Sequence, residues 1–211
     1  MRKILLLITA AFLSFSLNAQ EPTGKVSLDF NFDPASFFDA AAGAMFHMPG
    51  IKARYFLQPE LAARVGIYAG FDSSKDFQDL DGEDYQKSTN AYFTLSPGIE
   101  KHFASEKFSA YVGAELPIGI SSSSIKVVDN DEETVFKNVD GDDHLGIGLH
   151  AVLGFDYYIF GKVYIGAEFN PGLELRKIKD SKTDDDVTNV GGTEIDFSIA
   201  SSSGIKIGVR F

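Results

Sequence analysis

The stretch Ile195–Phe211, IDFSIASSSGIKIGVRF, alternates apolar with polar residues and ends on an aromatic residue. One parity is apolar, with Ile195, Phe197, Ile199, Ile205, Ile207, Val209 and Phe211. The other parity includes Asp196, Lys206 and Arg210. A period of two is the geometry of a β-strand whose two faces meet different surroundings. This pattern suits the wall of a membrane barrel, with lipid on one side and a polar interior on the other.

The first residues have the pattern of a secretory signal peptide. Arg2 and Lys3 precede an uncharged, largely apolar stretch that runs from Ile4 to Leu17, and a cleavage point follows at Ala19. The stretch is too short to cross a bilayer as a helix. We expect a signal peptide at residues 1–19 and a single outer-membrane β-barrel domain at residues 20–211. A retained N-terminal anchor is the alternative.

Composition excludes several classes of protein. The 211 residues include no cysteine, so disulfides and thiolate metal sites are impossible. The net charge of -11 argues against nucleic acid as a partner. The mean hydropathy of -0.04 does not fit a helical membrane protein, but it is compatible with barrel strands that alternate lipid-facing and interior residues.

Alternation elsewhere in the chain predicts eight strands in total. They are Lys25–Phe32, Pro49–Leu57, Leu61–Phe71, Lys87–Phe103, Phe108–Ser121, Leu145–Ile159, Val163–Leu175 and Ile195–Phe211. Tight turns are expected at Gln58-Pro59-Glu60, Ser105-Glu106-Lys107 and Gly161-Lys162. Long loops are expected at about Asp33–Met48, Asp72–Gln86, Lys126–His144 and Lys177–Thr193.

Short connections that alternate with long ones are typical of outer-membrane barrels. The expected fold is all-β, an eight-stranded antiparallel up-and-down transmembrane β-barrel with short periplasmic turns and long extracellular loops. Aromatic residues near the short turns suggest a belt at the membrane–water interface. The belt would comprise Tyr55, Phe103, Phe108, Tyr157, Phe160, Tyr164 and Phe211.

The polar parity of the strands predicts a charged interior. Its expected cations are Lys25, Lys52, Arg54, Arg64, Arg176, Lys206 and Arg210, and its expected anions are Asp29, Glu100, Glu115, Asp156, Glu168, Glu174 and Asp196, joined by His102 and His150. Buried charges must be paired, and an eight-stranded barrel is just wide enough for side chains to fill. The balanced set therefore favours a plugged interior over a conducting pore.

The long loops are acidic and also carry lysines. Their acids are Asp72, Asp76, Asp79, Asp81, Glu83, Asp84, Asp129, Asp131, Glu132, Glu133, Asp140, Asp142, Asp143, Asp184, Asp185 and Asp186. The segment Asp79–Asp84 loosely resembles a calcium loop but lacks the full ligand pattern, so solvated acidic loops are the preferred interpretation. The lysines Lys75, Lys87, Lys126, Lys137, Lys177, Lys179 and Lys182 could meet lipopolysaccharide phosphates.

No catalytic, cofactor-binding or metal-binding residue is predicted, and no cofactor is expected. The phosphate-loop, zinc-protease and nucleophile-elbow motifs are all missing from the sequence. A lipid A-modifying enzyme would need a serine or histidine system at the outer rim. His47, His144, Ser36, Ser73 and Ser88 fall near that rim, but no spacing links them.

Three segments carry a resemblance to a known group of proteins. They are Asn18-Ala19-Gln20, the strand Lys52–Leu57 (KARYFL) before a tight turn, and the terminal Ile205–Phe211 (IKIGVRF). The chain resembles the small outer-membrane β-barrel proteins of Bacteroidota, which are similar in design to the OmpX, OmpW and OmpA-barrel group. The resemblance implies that the barrel-assembly machinery reads Phe211 with the preceding apolar residues.

Three functions of different class remain open from the sequence. The leading one is a structural or interaction role in the cell outer membrane, with lipid and lipopolysaccharide as partners and an unknown protein partner at the loops. The second is a narrow porin for small solutes. The third, lipid A modification, is the least favoured, and the chain is expected not to be an enzyme.

Overall fold

The computed structural model describes residues 25–32, 50–77, 84–129, 132–138, 143–184, 186–198 and 204–211. Strands account for nearly all of these residues, and none of them lies in a helix. The described part of the chain accordingly contains no helix long and apolar enough to cross a membrane. The expected signal peptide, the expected loop 33–48 and the calcium-like segment up to residue 83 lie outside the described residues.

Fourteen strands are present in the described residues. They are β1 (Val26–Phe32), β2 (Ile51–Gln58), β3 (Leu61–Phe77), β4 (Tyr85–Ser105), β5 (Phe108–Glu115), β6 (Ile118–Asp129), β7 (Glu132–Lys137), β8 (His144–Phe160), β9 (Val163–Phe169), β10 (Gly172–Ile178), β11 (Ser181–Thr183), β12 (Asp186–Asn189), β13 (Thr193–Ser198) and β14 (Gly204–Arg210).

The strands pair antiparallel in a ring-like arrangement. β1 pairs with β2 on one side and with β14 on the other. From β2 the pairing continues through β3, β4, β5 and β8 to β9, and β9 pairs with β14. The path of hydrogen-bonded neighbours thus returns to its starting strand, and the first and last strands of the chain have each other as partners.

The three predicted tight turns are present. Pro59-Glu60 joins β2 to β3, Glu106-Lys107 joins β4 to β5, and Gly161-Lys162 joins β8 to β9. Glu106 and Gly161 have positive φ angles of 22° and 48°. Glycine takes such a conformation without steric cost, which explains its position in the third turn.

Prolines interrupt two of the predicted strands without breaking the pairing. Leu116-Pro117 separates β5 from β6, and both strands continue in one register along β8, from Glu115↔His150 to Ile118↔Ile147. Asn170-Pro171 separates β9 from β10 in the same way. Proline has no backbone N–H to contribute to a ladder. The Pro117 and Pro171 carbonyls still accept bonds from the Gly148 and Ala151 amides.

The predicted loops were too long in three places. β3 and β4 remain paired as far as Phe77↔Tyr85, well into the segment expected to be the loop Asp72–Gln86. β6 extends to Asp129, and the short strands β7, β11 and β12 continue the sheet beyond the ring. The acidic side chains of these strands led to their interpretation as loops. Strand pairing nevertheless satisfies the backbone N–H and C=O groups whatever the side-chain charge.

The two faces of the sheet differ as the alternation predicts. In β2 the residues Lys52, Arg54 and Phe56 are buried, whereas Ile51, Tyr55 and Leu57 are exposed. The same exposure of large apolar side chains recurs in β1, β8, β9 and β14. The inward face is thus polar and buried, and the outward face is apolar and exposed, which inverts the arrangement of a water-soluble protein.

Candidate functional site: the buried charge network

Ionisable side chains converge on the inward face of the ring. Twelve of the sixteen residues predicted for the interior are buried: Asp29, Lys52, Arg54, Arg64, Glu100, His102, Glu115, His150, Asp156, Glu168, Lys206 and Arg210. Strand alternation brings them inward, because each lies at an even step from another inward residue of its own strand. The set contains five cations and five carboxylates besides its two histidines.

Arg54 of β2 contacts three carboxylates. Its Nε lies 2.5 Å from Glu100 Oε1, its Nη2 lies 3.1 Å from Asp29 Oδ2, and its Nη1 donates to Asp156 Oδ2 at 2.8 Å. The guanidinium also stands over the ring of Tyr111, 4.8 Å from the centroid. A planar guanidinium can bond in several in-plane directions at once, which suits it to this junction.

Arg64 of β3 is a second junction. Its Nη1 lies 3.0 Å from Glu100 Oε2, and its Nη2 lies 2.9 Å from Glu115 Oε2 and 2.7 Å from Glu168 Oε1. Lys52 Nζ reaches the same Glu168 oxygen at 2.5 Å. Glu100 therefore links the two arginines, and Glu168 links Arg64 to Lys52.

Lys206 of β14 extends the network through tyrosines. Its Nζ lies 2.7 Å from Asp156 Oδ1 and donates to the Tyr111 hydroxyl at 2.7 Å. The Tyr111 hydroxyl donates to Glu168 Oε2 at 2.7 Å, and the Tyr164 hydroxyl donates to Asp29. The sequence interpretation missed Tyr111 as an interior residue, although it shares the inward parity of Glu115 on its strand.

The two interior histidines occupy opposite ends of the network. His102 lies 3.0 Å from Glu100 Oε1 through Nε2 and 2.9 Å from the Ser109 hydroxyl through Nδ1. His150 Nε2 lies 3.2 Å from Glu174 Oε1, beside the half-buried Arg176. Each ring thus has a carboxylate partner.

Several of these contacts cross the ring. Arg54 on β2 and Asp156 on β8 are four strands apart in either direction, through β1, β14 and β9 or through β3, β4 and β5. Arg64 on β3 and Glu168 on β9 are equally far apart. Side chains from opposite walls therefore meet in the middle of the ring.

Four residues predicted for the interior lie nearer to solvent. Arg176 is half-buried and pairs with Glu174 at 3.3 Å and with Asp196 at 3.1 Å. These three residues lie on β10 and β13, beyond the fully buried set. Lys25 is exposed, which corrects its interior assignment. It precedes β1, so the strand geometry does not turn its side chain inward.

Six of the seven residues predicted for the aromatic belt are exposed or half-buried, so the belt at the membrane interface stays a prediction for these six. Tyr55, Tyr157, Phe160 and Phe211 are exposed and Phe103 and Phe108 are half-buried. Tyr164 is fully buried and belongs to the charge network. Its inward parity, shared with Glu168, overrides its position next to a turn.

One predicted loop acid is structural. Asp143 is 7% exposed and accepts bonds from the Ser123 amide and hydroxyl and from the Ser122 hydroxyl. Its amide donates to the Asn138 side chain. The interpretation of Asp143 as a solvated loop residue was wrong, because these bonds hold it against β6. No group of three or more His, Asp or Glu side chains among the described residues could hold a metal ion.

The residues considered for lipid A chemistry do not form a common site in the described structure. His144 Nδ1 lies 2.9 Å from the Ser121 hydroxyl, a contact that the sequence did not suggest. The same hydroxyl accepts a bond from the His144 amide, as in a structural brace. Ser73 pairs with Thr89 at 3.3 Å. His47 and Ser36 lie outside the described residues.

Comparison with known proteins gives one match. Residues 36–211 match the model of the family described as "Putative OmpA-OmpF-like porin family". No curated protein and no solved structure matches the chain. Because the family model covers most of the chain, from residue 36 to residue 211, the protein belongs to this porin-like family of outer-membrane β-barrel proteins.

Proposed function

We propose that the chain forms an eight-stranded up-and-down barrel with a closed interior and serves a structural or interaction role in the outer membrane. Eight segments result when successive strands that pair with the same or successive neighbours are grouped. β5 and β6 both pair with β4 and β8, β9 and β10 both pair with β8, and β13 and β14 pair with β10 and β9. β7, β11 and β12 then belong to the connections beyond the ring. The return of β14 to β1 supports closure.

The height of the apolar band supports a membrane-spanning wall. On β3 the outward residues from Leu61 to Phe71 are all apolar, and Phe71 is 75% exposed. Ten residue steps cover about 33 Å along a strand. At a tilt of roughly 40° this corresponds to about 25 Å of height, which is the thickness of the apolar band in such barrels.

The cross-ring ion pairs carry the proposal of a closed interior. Arg54 reaches Asp156 and Arg64 reaches Glu168 across the ring at 2.8 Å and 2.7 Å, and these four side chains are at most 2% exposed. Removing either partner of such a pair leaves an uncompensated charge in a low-dielectric space. The network therefore favours a fixed plug over a water-filled path.

Orientation and biogenesis follow from the same architecture. We place the short turns in the periplasm and the acidic connections outside, as in other barrels of this type. We further propose export by the signal at residues 1–19 and recognition of Phe211 by the barrel-assembly machinery. Outer-membrane insertion of Phe211→Asp, compared with wild type, tests this recognition, and equal insertion would refute it.

A narrow porin is the second candidate because the family is described as porin-like. The half-buried group of Arg176, Glu174 and Asp196 could line a polar vestibule above the plug. A vestibule alone does not make a path through the buried network. The family also suggests a non-enzymatic protein, and unchanged lipid A mass spectra in a deletion strain would agree with that.

Two measurements on the refolded protein test the proposal. A closed membrane barrel should migrate differently on a gel before and after boiling, and liposomes that contain it should not swell in small sugars or amino acids. A protein that is soluble without detergent and insensitive to heating would refute the membrane barrel. Heat-dependent migration with rapid swelling would instead support the narrow porin.

A further inference from the structure

Three lysines form a row across adjacent strands of the extended sheet. Lys75 on β3 is directly opposite Lys87 on β4, and Lys87 is directly opposite Lys126 on β6. Directly paired residues of antiparallel strands project from the same face. Lys75 shares the parity of Ile67 and Phe71, so the row lies on the outward face, above the apolar band.

A second row, of hydroxyl and lysine side chains, lies two residues closer to the apolar band. Ser73, Thr89 and Ser124 occupy it on β3, β4 and β6. The row continues sideways to Lys137 on β7, opposite Ser124, and to Lys182 on β11, opposite Lys137. Five lysines and three hydroxyl groups therefore share one outward surface, which we call the lysine face.

The first row places like charges side by side. Neighbouring strands are about 4.8 Å apart, so paired lysines have close Cβ atoms and repel one another. Lys126 has a partner, because its Nζ lies 2.6 Å from Glu133 Oε2. This hydrogen bond raises the pKa of Lys126, so the side chain stays charged. Among the described residues neither Lys75 nor Lys87 has a carboxylate within ion-pair distance.

Aromatic side chains fix one end of the row. Lys75 Nζ stands 3.6 Å from the ring centroid of Tyr85 and 4.6 Å from that of Phe77. The two rings meet edge to face at 6.5 Å. This contact holds an ammonium group at the surface without neutralising it. Lys75 is therefore positioned to bind an external anion.

We propose that the lysine face binds the phosphate groups of a phosphorylated glycolipid in the outer leaflet of the membrane. This inference rests on the proposed function, because it takes the apolar band to be in lipid. Lys75 lies four residues beyond Phe71, which is about 13 Å along the strand and roughly 10 Å in height above the band. Lipid phosphates occupy this headgroup level.

The chemistry of the face selects phosphate over other anions of the surface. Phosphate offers several charged acceptor oxygens, so one group can bond two or more ammonium groups that repel each other. The hydroxyl row of Ser73, Thr89 and Ser124 adds donors and acceptors for the sugar beneath. The protein is acidic overall, with a net charge of -11, so a cluster of five lysines on one face is a local exception.

The decisive experiment measures binding of bisphosphorylated lipid A to the full protein refolded in a zwitterionic detergent. The test variant is Lys75→Gln/Lys87→Gln/Lys126→Gln. The matched control is Lys101→Gln/Lys107→Gln/Lys162→Gln, which removes three exposed lysines at the short-turn end. We expect the test variant to bind at least about tenfold more weakly, because three charge-assisted contacts are lost together. The control variant should bind like wild type.

Two further arms identify the ligand. Dephosphorylated lipid A should bind wild type and test variant equally, and Lys75→Arg/Lys87→Arg/Lys126→Arg should restore binding of the phosphorylated form. Competition by millimolar inorganic phosphate at low lipid concentration would point to a free-anion site and overturn the lipid assignment. Equal binding by the wild type and the Gln variant would overturn the proposal itself.

The gel migration of every variant before and after heating is recorded in parallel. Heat-dependent migration of the Gln variant together with lost lipid binding supports the lysine face. A wild-type protein that shows no heat-dependent migration would refute the membrane barrel and, with it, the headgroup level on which the lysine face depends. Normal migration with unchanged lipid binding refutes the lysine face alone.

Discussion

At the scale of single residues, the buried arginines Arg54 and Arg64 are the junctions of the ion network. Arg54 and Arg64 each contact three carboxylates while being 2% and 3% exposed. A buried ion network of this kind gives little net stability compared with apolar packing, but breaking it is costly. The network therefore fixes which side chains meet in the interior, and single substitutions within it should have large effects.

Replacing Arg64 by alanine should strongly destabilise the protein. The change leaves Glu100, Glu115 and Glu168 without a shared cation, and the expected loss is about 3–5 kcal/mol in the free energy of unfolding. Denaturant unfolding of the refolded protein in lipid vesicles measures it. Lys107→Ala, an exposed turn residue, should change the free energy by less than about 1 kcal/mol. Similar values for the two variants would contradict the network.

The Tyr111 hydroxyl provides a subtler test. Tyr111→Phe removes the bonds to Glu168 and Lys206 without altering the ring. We expect a loss of about 1–3 kcal/mol in the free energy of unfolding, because buried partners remain unsatisfied. Tyr157→Phe is the control, since Tyr157 is 46% exposed on the outward face. If both variants unfold alike, the hydroxyl does not serve the interior.

Residue positions were predictable where a local period determines them. Alternation correctly placed Lys52, Arg54 and Glu100 inside, because side-chain direction along a strand depends only on parity. The partner of each charge was not predictable, since Arg54 and Asp156 are 102 residues apart in the chain. Tyr164 was misassigned because its nearness to a turn was given more weight than its parity.

At the scale of the strands, the contrast between the two faces explains both insertion and register. A shift of one residue would turn the buried charges outward into lipid and the apolar side chains inward. The register is therefore fixed by the side chains of both faces. Each predicted segment contains strand residues and the three tight turns are present, but Phe108–Ser121 and Val163–Leu175 are each divided into two strands, and the extension of β3, β4 and β6 was not predicted. Ser, Asp and Lys dominate the extensions of β3 and β6 and give no sustained apolar alternation.

Arginine substitutions at adjacent positions of β8 test the assignment of faces. Ile147 is outward and 46% exposed, and Gly146 is inward. Ile147→Arg should cost about 2–4 kcal/mol in the free energy of unfolding from a bilayer, because the charge enters its apolar centre. Gly146→Arg should cost much less, since a Cβ there meets no atom closer than 3.5 Å. The same cost at both positions would show that the faces are wrongly assigned.

Gly113 and Gly148 are unsuitable as inward controls. A Cβ at Gly113 would lie 2.3 Å from the Ile99 carbonyl oxygen, and one at Gly148 would lie 2.8 Å from Pro117 Cγ. Any side chain at these positions would distort the wall itself. Neighbouring strands approach closely here because glycine has no side chain.

At the scale of the whole molecule, the ring of paired strands and the ion network inside it belong together. The ring of paired strands leaves an inward face, and the ion network occupies it from opposite walls. In the sequence, the terminal strand indicated a closed ring of strands. The seven cations and seven anions indicated that the interior charges balance. The geometry adds that the buried set is smaller, and that Arg176, Glu174 and Asp196 form a separate group nearer to solvent.

Single-channel recording of the wild-type protein in a planar bilayer tests the closed interior most directly. The cross-ring pairs of Arg54 with Asp156 and of Arg64 with Glu168 predict no steady conductance from a correctly folded, heat-modifiable preparation. An open porin reconstituted in parallel shows that the assay detects a pore. Stable, reproducible conductance steps from the folded wild type would contradict the closed interior and establish the narrow porin in its place.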